Sequence, residues 1–154
     1  MFSLLNPVDA ENCPLVFLDR PNRWRLWQSP SENRVPGAVE DRVRRVFRLG
    51  ATDPLPLVRR NALRDYHAHL AALLSFPFPA SYCEEAEPLV LDGSVIVTGL
   101  CDPARTLLDS AMGILCEVVF RRNVRLPLAL LKVEPWNPNS QFIDDYWHWF
   151  WNCR

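Results

Sequence analysis

Five carboxylates in the carboxy-terminal half of the chain stand in two close groups, Glu84, Glu85 and Glu87 in the first and Asp144 and Asp145 in the second. Carboxylate oxygens are the ligands that hard cations such as Ca²⁺ prefer, and a complete shell takes about six to eight oxygens. Both groups are therefore candidate cation ligands. Two simpler interpretations stay open, because the glutamates also suit a solvated strand face and the aspartates suit the positive end of a helix dipole.

A compact calcium loop of the EF-hand kind is absent from the sequence. Counted from Asn137, the sixth position of such a loop is Phe142 rather than glycine, and the twelfth is His148 rather than glutamate. Further acids lie scattered on predicted loops or strand ends: Asp92, Asp102, Asp109 and Glu134. Any cation site must therefore combine distant segments, and we expect its affinity to be modest.

The cysteines carry no paired motif. Their number is odd and no Cys-x-x-Cys spacing occurs, which excludes a zinc knuckle or a thioredoxin-type site. We therefore expect five free thiols in a reduced, cytoplasmic protein: Cys13, Cys83, Cys101, Cys116 and Cys153.

The histidines and the rest of the chain offer no catalytic constellation. His67 and His69 are two residues apart, so on a helix they diverge and cannot grip one metal as an i,i+4 pair would. We interpret His67 as a partly buried histidine with a hydrogen-bond partner. Because no activated nucleophile, nucleotide loop or metal triad is present, we expect a protein that is not an enzyme.

Length and composition indicate one soluble domain built of short elements. The chain has 154 residues, of which 14 are proline. Residues 1–75 carry eleven arginines and eight acids (+3), and residues 76–154 carry six basic and ten acidic residues (−4), which together give the net charge of −1. No run of eighteen apolar residues occurs, so we expect no membrane span.

A short basic helix is predicted over 39–49, with Gly50 as its left-handed cap. Its arginines could contact nucleic acid. However, Glu40–Arg44 and Asp41–Arg45 fall at i,i+4 and pair off part of the charge, and no stacking aromatics interleave with the arginines. We expect a solvated face here, which makes nucleic acid an unlikely partner.

An aromatic helix is predicted within 139–154, begun by Asn139 or Ser140 as the cap. At about 100° per residue, one face collects the residues that we expect in the core: Phe142, Ile143, Tyr146, Trp149 and Phe150. Asp145 lies at the border of that face. Asp144, His148 and Trp151 point away from it.

The remaining elements predict an α+β fold, in which two or three helices pack on a small antiparallel SH3-like β-barrel beside the aromatic helix. A second amphipathic helix is expected over 59–74. The later periodicity of two predicts short strands and tight turns: a strand over 94–98 after an Asp92-Gly93 turn, a hairpin of 113–120 with 124–128, and a last strand at 132–134. Pro127 should mark a strand end or an edge.

Several motifs occur in an order that is similar to a known family. They are Phe76-Pro77-Phe78 with Ala80, Asp92-Gly93, Val97 with Gly99-Leu100, Gly113 with Glu117-Val118, Leu126-Pro127-Leu128 with Leu131, and Asp145-Tyr146 with Trp149-Phe150. Together they resemble the small bacterial calcium-binding proteins of the CcbP type. The resemblance covers roughly residues 55–154, so we divide the chain into an N-terminal extension (1–50) and a calcium-binding-protein-like domain (51–154).

The resemblance implies a monomeric calcium binder that acts as a buffer or a sensor. With the acids of the carboxy-terminal half, it makes Ca²⁺ the expected ligand and Glu84, Glu85, Glu87, Asp144 and Asp145 the expected metal residues. The alternative is an SH3-like interaction module that binds a protein partner or, less readily, nucleic acid along a groove. Strong salt dependence of binding would reveal a nucleic-acid partner.

Overall fold

Three helices and five strands make up the part of the chain that is described. The computed structural model describes residues 37–154 apart from 87, 88 and 121, with the backbone alone at 83–86, 89–93 and 120. In chain order the elements are α1 (Ala38–Val46), α2 (Arg60–Leu73), β1 (Phe78–Ala86), β2 (Leu89–Leu100), β3 (Leu115–Phe120), β4 (Arg122–Pro127), a 3₁₀ turn (Leu128–Leu130), β5 (Leu131–Lys132) and α3 (Ser140–Asn152).

The strands form one antiparallel sheet in the order β4-β3-β2-β1-β5. The α+β class is confirmed, but the barrel is not, because β4 and β5 lie at opposite edges of the described sheet and leave it open. β5 is only two residues long and pairs with β1 at Ser81 and Tyr82. Pro127 ends the edge strand β4, as its missing N–H leads one to expect.

The predicted turn at Asp92-Gly93 is wrong. Both residues lie inside β2, where Asp92 pairs with Cys83 and Gly93 pairs with Tyr82. An Asp-Gly pair favours a hairpin turn only when its flanks do not pair elsewhere. Here the backbone of β1 continues to Ala86 and holds the pair extended, so β2 is far longer than the strand predicted over 94–98.

The end of α1 also differs from the prediction. The helix stops at Val46, and the residue with left-handed backbone is Arg48, with φ of 55°, rather than Gly50. The Leu49 amide returns to the Arg44 carbonyl at 2.9 Å, which closes the helix earlier than expected. Gly50 instead donates its amide to the Asp53 carboxylate at 2.7 Å.

Helix α3 supplies the largest side chains of the core. Tyr146, Trp149 and Phe150 are at most 1% exposed, as the periodicity predicts. Trp149 stacks on Tyr66 of α2 with ring centroids 5.0 Å apart, and its indole N–H donates to the Pro56 carbonyl at 2.9 Å. The helices and the inward face of the sheet therefore share one core.

Trp151 corrects the predicted polar face of α3. It is 4% exposed rather than solvated, and its indole N–H donates to the Ala129 carbonyl at 3.3 Å. The 3₁₀ turn that carries Ala129 packs against this side of α3. The aromatic face is thus wider than a single helical stripe, because a second element covers its flank.

Gly113 admits α3 against the start of β3. Its φ is +66°, and a Cβ there would meet the Tyr146 hydroxyl and the Phe150 ring at less than van der Waals distance. The neighbouring Ile114 amide donates to the Tyr146 hydroxyl at 2.9 Å. Glycine is required at 113 both for the backbone conformation and for the space.

Candidate functional site

The first predicted acidic group lies on the β1–β2 hairpin. The backbones of Glu84 and Glu85 belong to β1, opposite Leu91 and Val90 of β2. The side chains of these two residues, and Glu87 altogether, lie outside the described part of the chain. Their ligand role therefore stays a prediction.

The two aspartates of the second predicted group, Asp144 and Asp145, lie in different surroundings, and their ligand role stays a prediction. The Asp145 side chain is 8% exposed, and both of its oxygens accept hydrogen bonds from Arg42, whose Nε lies 2.7 Å from Oδ2 and whose Nη2 lies 2.8 Å from Oδ1. Asp144 is half-buried beside it and has an interaction of its own. The structure thus separates the two aspartates: one is buried in a bidentate ion pair, and the other stays at the surface.

Packing of α1 on α3 explains the position of this ion pair. Val39 and Val43 of α1 are buried in the core, and the turn between them carries Arg42 to the border of α3. A guanidinium matches a carboxylate as a planar fork, so this geometry is among the strongest that an ion pair adopts. The hydrogen bonds to Asp145 raise the pKa of Arg42 above its ordinary value.

A second pair joins the same two helices. His148 Nε2 of α3 lies 3.1 Å from Glu40 Oε1 of α1, and both side chains are partly exposed. We call the four residues Glu40, Arg42, Asp145 and His148 the helix seam. The expected i,i+4 pairs within α1 are not the ones observed among the described contacts, because Glu40 turns to α3 and Asp41 pairs with Arg44 at 2.9 Å.

Two other acids accept hydrogen bonds from backbone amides of their own loops. Asp102 Oδ1 accepts the Ala104 amide at 2.9 Å, and Asp109 Oδ1 accepts the amides of Ala111 and Met112 at 2.9 and 2.7 Å. These bonds fix local turns. Within the described residues, no group of three or more His, Cys, Asp or Glu side chains is placed to hold a metal ion.

The interpretation of His67 is confirmed, and three of the five cysteines lie in the described part of the chain. His67 is partly buried and lies with Nε2 2.9 Å from the Cys101 carbonyl. Cys101, Cys116 and Cys153 are free, while Cys13 and Cys83 lie outside the described part. Burial raises the pKa of Cys101 to about 11 and also raises that of Cys116, so both thiols stay protonated and unreactive at neutral pH.

The outward face of the sheet carries an apolar pair that the sequence analysis did not single out. Ile96 of β2 and Val119 of β3 face each other across the strands, and both are about two-fifths exposed, at 43% and 40%. Trp136, in the loop before α3, is 72% exposed. Strand alternation alone identifies this pair, because Val95, Val97 and Val118 take the buried positions.

The described helices include none that is both long and apolar enough to cross a bilayer. α3, which is the most apolar of the three, has 13 residues, whereas a membrane span takes about 20.

Comparison with known proteins supports the fold. No protein-family profile matches the chain and no curated protein matches its sequence. A solved structure, that of Anabaena CcbP, is similar over 80% of this chain and 95% of that chain, with a TM-score of 0.53 and 18% identity. At this identity the likeness shows a shared fold. It agrees with the fold that the motif order led us to expect.

Proposed function

We propose that this protein binds calcium ions with modest affinity, as a buffer or a sensor, through carboxylates centred on the β1–β2 hairpin. The observation that supports the proposal most directly is the fold shared with Anabaena CcbP along nearly the whole of that chain. The motif order separately resembles proteins of the same type. The excess of acids after residue 75 supplies the oxygen chemistry that Ca²⁺ requires.

The ion pair with Arg42 makes Asp145 a costly ligand for a cation. Asp145 already neutralises Arg42, and breaking a buried ion pair to free one partner costs several kcal/mol. A calcium ion that used Asp145 would have to offset that cost. We therefore assign the ligand role to Glu84, Glu85 and Glu87, with Asp144 as the remaining candidate on α3. Backbone carbonyls and water would complete the shell.

Calcium titration of the metal-free protein tests the proposal. At 100 times its dissociation constant, an ion that binds only the folded state adds about 2.7 kcal/mol to the free energy of unfolding. For a chain of this size we expect the melting temperature to rise by roughly 5–10 °C. Magnesium at equal concentration should do much less, because it gives up its water reluctantly and demands octahedral geometry.

Charge-removing variants locate the ligands. The triple change Glu84→Gln, Glu85→Gln and Glu87→Gln should abolish most of the calcium effect, and Asp144→Asn should reduce it less. The matched control, Asp65→Asn with Glu134→Gln, removes exposed acids elsewhere on the surface and should leave the effect intact. If millimolar calcium shifts the melting temperature no more than sodium does at matched ionic strength, calcium binding is not the function.

The alternative function is an interaction module. Its support is the exposed apolar pair Ile96 and Val119, which face each other across two strands, since exposed apolar groups that lie together often mark a partner site. A nucleic-acid partner is disfavoured, because Arg42 and Arg44 are already paired with Asp145 and Asp41. The calcium titration decides between the two functions, and a negative result puts the interaction module first.

A further inference from the structure

A small pocket opens among the three helices beside the Arg42–Asp145 pair. Its volume is about 140 Å³, and both residues of the ion pair line it together with Arg45 of α1 and His69 of α2. An engineered protein cavity of about 150 Å³ holds a benzene molecule. The pocket therefore has room for a single aromatic ring or a short aliphatic chain. Its role is not explained by calcium binding.

The pocket has apolar walls, and one of them is formed by a tightly packed aromatic ring. Val46 and Phe142 line it from α1 and α3. Tyr66 lines it from α2, is 1% exposed, and is held by stacking on Trp149 and by edge contact with Phe47. Because Tyr66 is packed on several sides, this wall is already formed before any ligand enters. A preformed apolar wall lowers the entropic cost of binding.

The residues that line the pocket include one arginine in addition to the Arg42–Asp145 pair. Arg42 and Asp145 neutralise each other, whereas Arg45 has no ion pair or hydrogen bond from its side chain within the part of the chain that is described. Burial lowers the pKa of His69, so this ring is neutral at pH 7 and offers hydrogen bonds without charge. Arg42 uses only Nε and Nη2 for Asp145, which leaves the donors of Nη1.

We propose that this pocket binds a small organic anion, namely a carboxylate carried on one aromatic ring or a short aliphatic chain. The carboxylate contacts the guanidinium of Arg45 and the remaining N–H groups of Arg42, and the apolar part lies against Val46 and Phe142. Asp145 takes part indirectly, because it holds the Arg42 guanidinium in place. The pocket is lined by residues of the three helices alone.

Benzoate is the probe for this proposal, with benzamide as its uncharged counterpart of the same shape. Titration calorimetry should give a benzoate dissociation constant of roughly millimolar order, because ligands of so few atoms seldom gain more. Benzamide should bind about tenfold more weakly, since it forms no charge-assisted hydrogen bond with the arginines.

Arg45→Gln is the decisive variant, and Arg64→Gln on the exposed side of α2 is its matched control. Both arginines are exposed, so both variants should keep the melting temperature of the parent protein. Arg45→Gln should weaken benzoate about tenfold, and Arg64→Gln should not. Equal binding of benzoate and benzamide, no loss in Arg45→Gln, or an equal loss in the control would each overturn the proposal. Binding should persist in the triple glutamine variant of the hairpin, which separates this test from that of calcium.

Discussion

Helix α3 meets the rest of the molecule through two surfaces of opposite character. On one side Tyr146, Trp149 and Phe150 pack into a continuous aromatic core with Tyr66 and Phe47. On the other, the helix seam joins it to α1 by polar and charged groups that remain in part exposed, at 29% for Arg42 and 26% for His148.

The difference separates stability from orientation. Burying an aromatic ring contributes to folding in proportion to its apolar area and without a fixed direction. A bidentate ion pair gains little net free energy once desolvation is counted, yet it accepts only one geometry. We infer that the aromatic core holds α3 on the sheet. The helix seam sets the angle at which α1 lies on α3.

The largest expected effect comes from the core. Trp149→Ala removes a fully buried ring and leaves the Pro56 carbonyl without its donor, so we expect a loss of about 3–5 kcal/mol in the free energy of unfolding. Urea denaturation measures it. Trp136→Ala, which removes an exposed indole, is the control and should change stability little. If Trp149→Ala loses less than about 1 kcal/mol more stability than Trp136→Ala, the aromatic core is not the main support of α3.

An intermediate effect is expected from the buried acid of the helix seam. Asp145→Asn keeps the shape but leaves the Arg42 guanidinium unbalanced, and we expect a loss of about 2–3 kcal/mol, reduced from the fully buried case because Arg42 is partly exposed. The double variant Arg42→Met with Asp145→Leu should recover much of this loss. If stability does not recover, the ion pair is a net source of stability, which contradicts the view that it mainly sets the orientation of α1.

The smallest effect is expected from Glu40 and His148. Exposed pairs of this kind contribute roughly 0.2–1 kcal/mol and are weakened by salt. A double-mutant cycle with Glu40→Gln and His148→Gln should give a coupling energy of less than about 0.5 kcal/mol at physiological salt. A coupling as large as the Asp145→Asn effect would contradict the view that this pair only assists orientation.

The sequence predicts α3 and α2 well because their large apolar residues recur at the helical period. A helix is the arrangement that buries four of them together: Ile143, Tyr146, Trp149 and Phe150. The β1–β2 hairpin is harder to predict from sequence, because the Asp92-Gly93 pair locally favours a turn. Pairing with β1 keeps these residues extended, and that pairing is not visible in the local sequence. The length of β5 is likewise set by its pairing with β1, which involves only Ser81 and Tyr82.

The main pair of the helix seam could not be predicted, because Arg42 and Asp145 are 103 residues apart along the chain. Sequence shows the charge of Arg42 and Asp145 but not which opposite charge each will meet. The i,i+4 rule favoured pairs inside α1. With Val39 and Val43 buried, Glu40 and Arg42 instead reach partners on α3. One usable signal was Asp145 itself, at the border of an otherwise aromatic face, where a lone acid requires a partner.

Asn139 stands at the N-cap position, immediately before α3, yet its side chain does not cap that helix. Its Oδ1 accepts the Ser75 amide at 3.0 Å and its Nδ2 donates to the Ser75 carbonyl at 2.9 Å, so the side chain imitates a peptide group beside the end of α2. Aspartate has the same outline but can only accept, and it would set a negative charge against that carbonyl. Spontaneous deamidation at this position would therefore undo the joint between two helices. The native fold opposes that ageing, because Asn139 is 2% exposed and both ends of its amide are already bound.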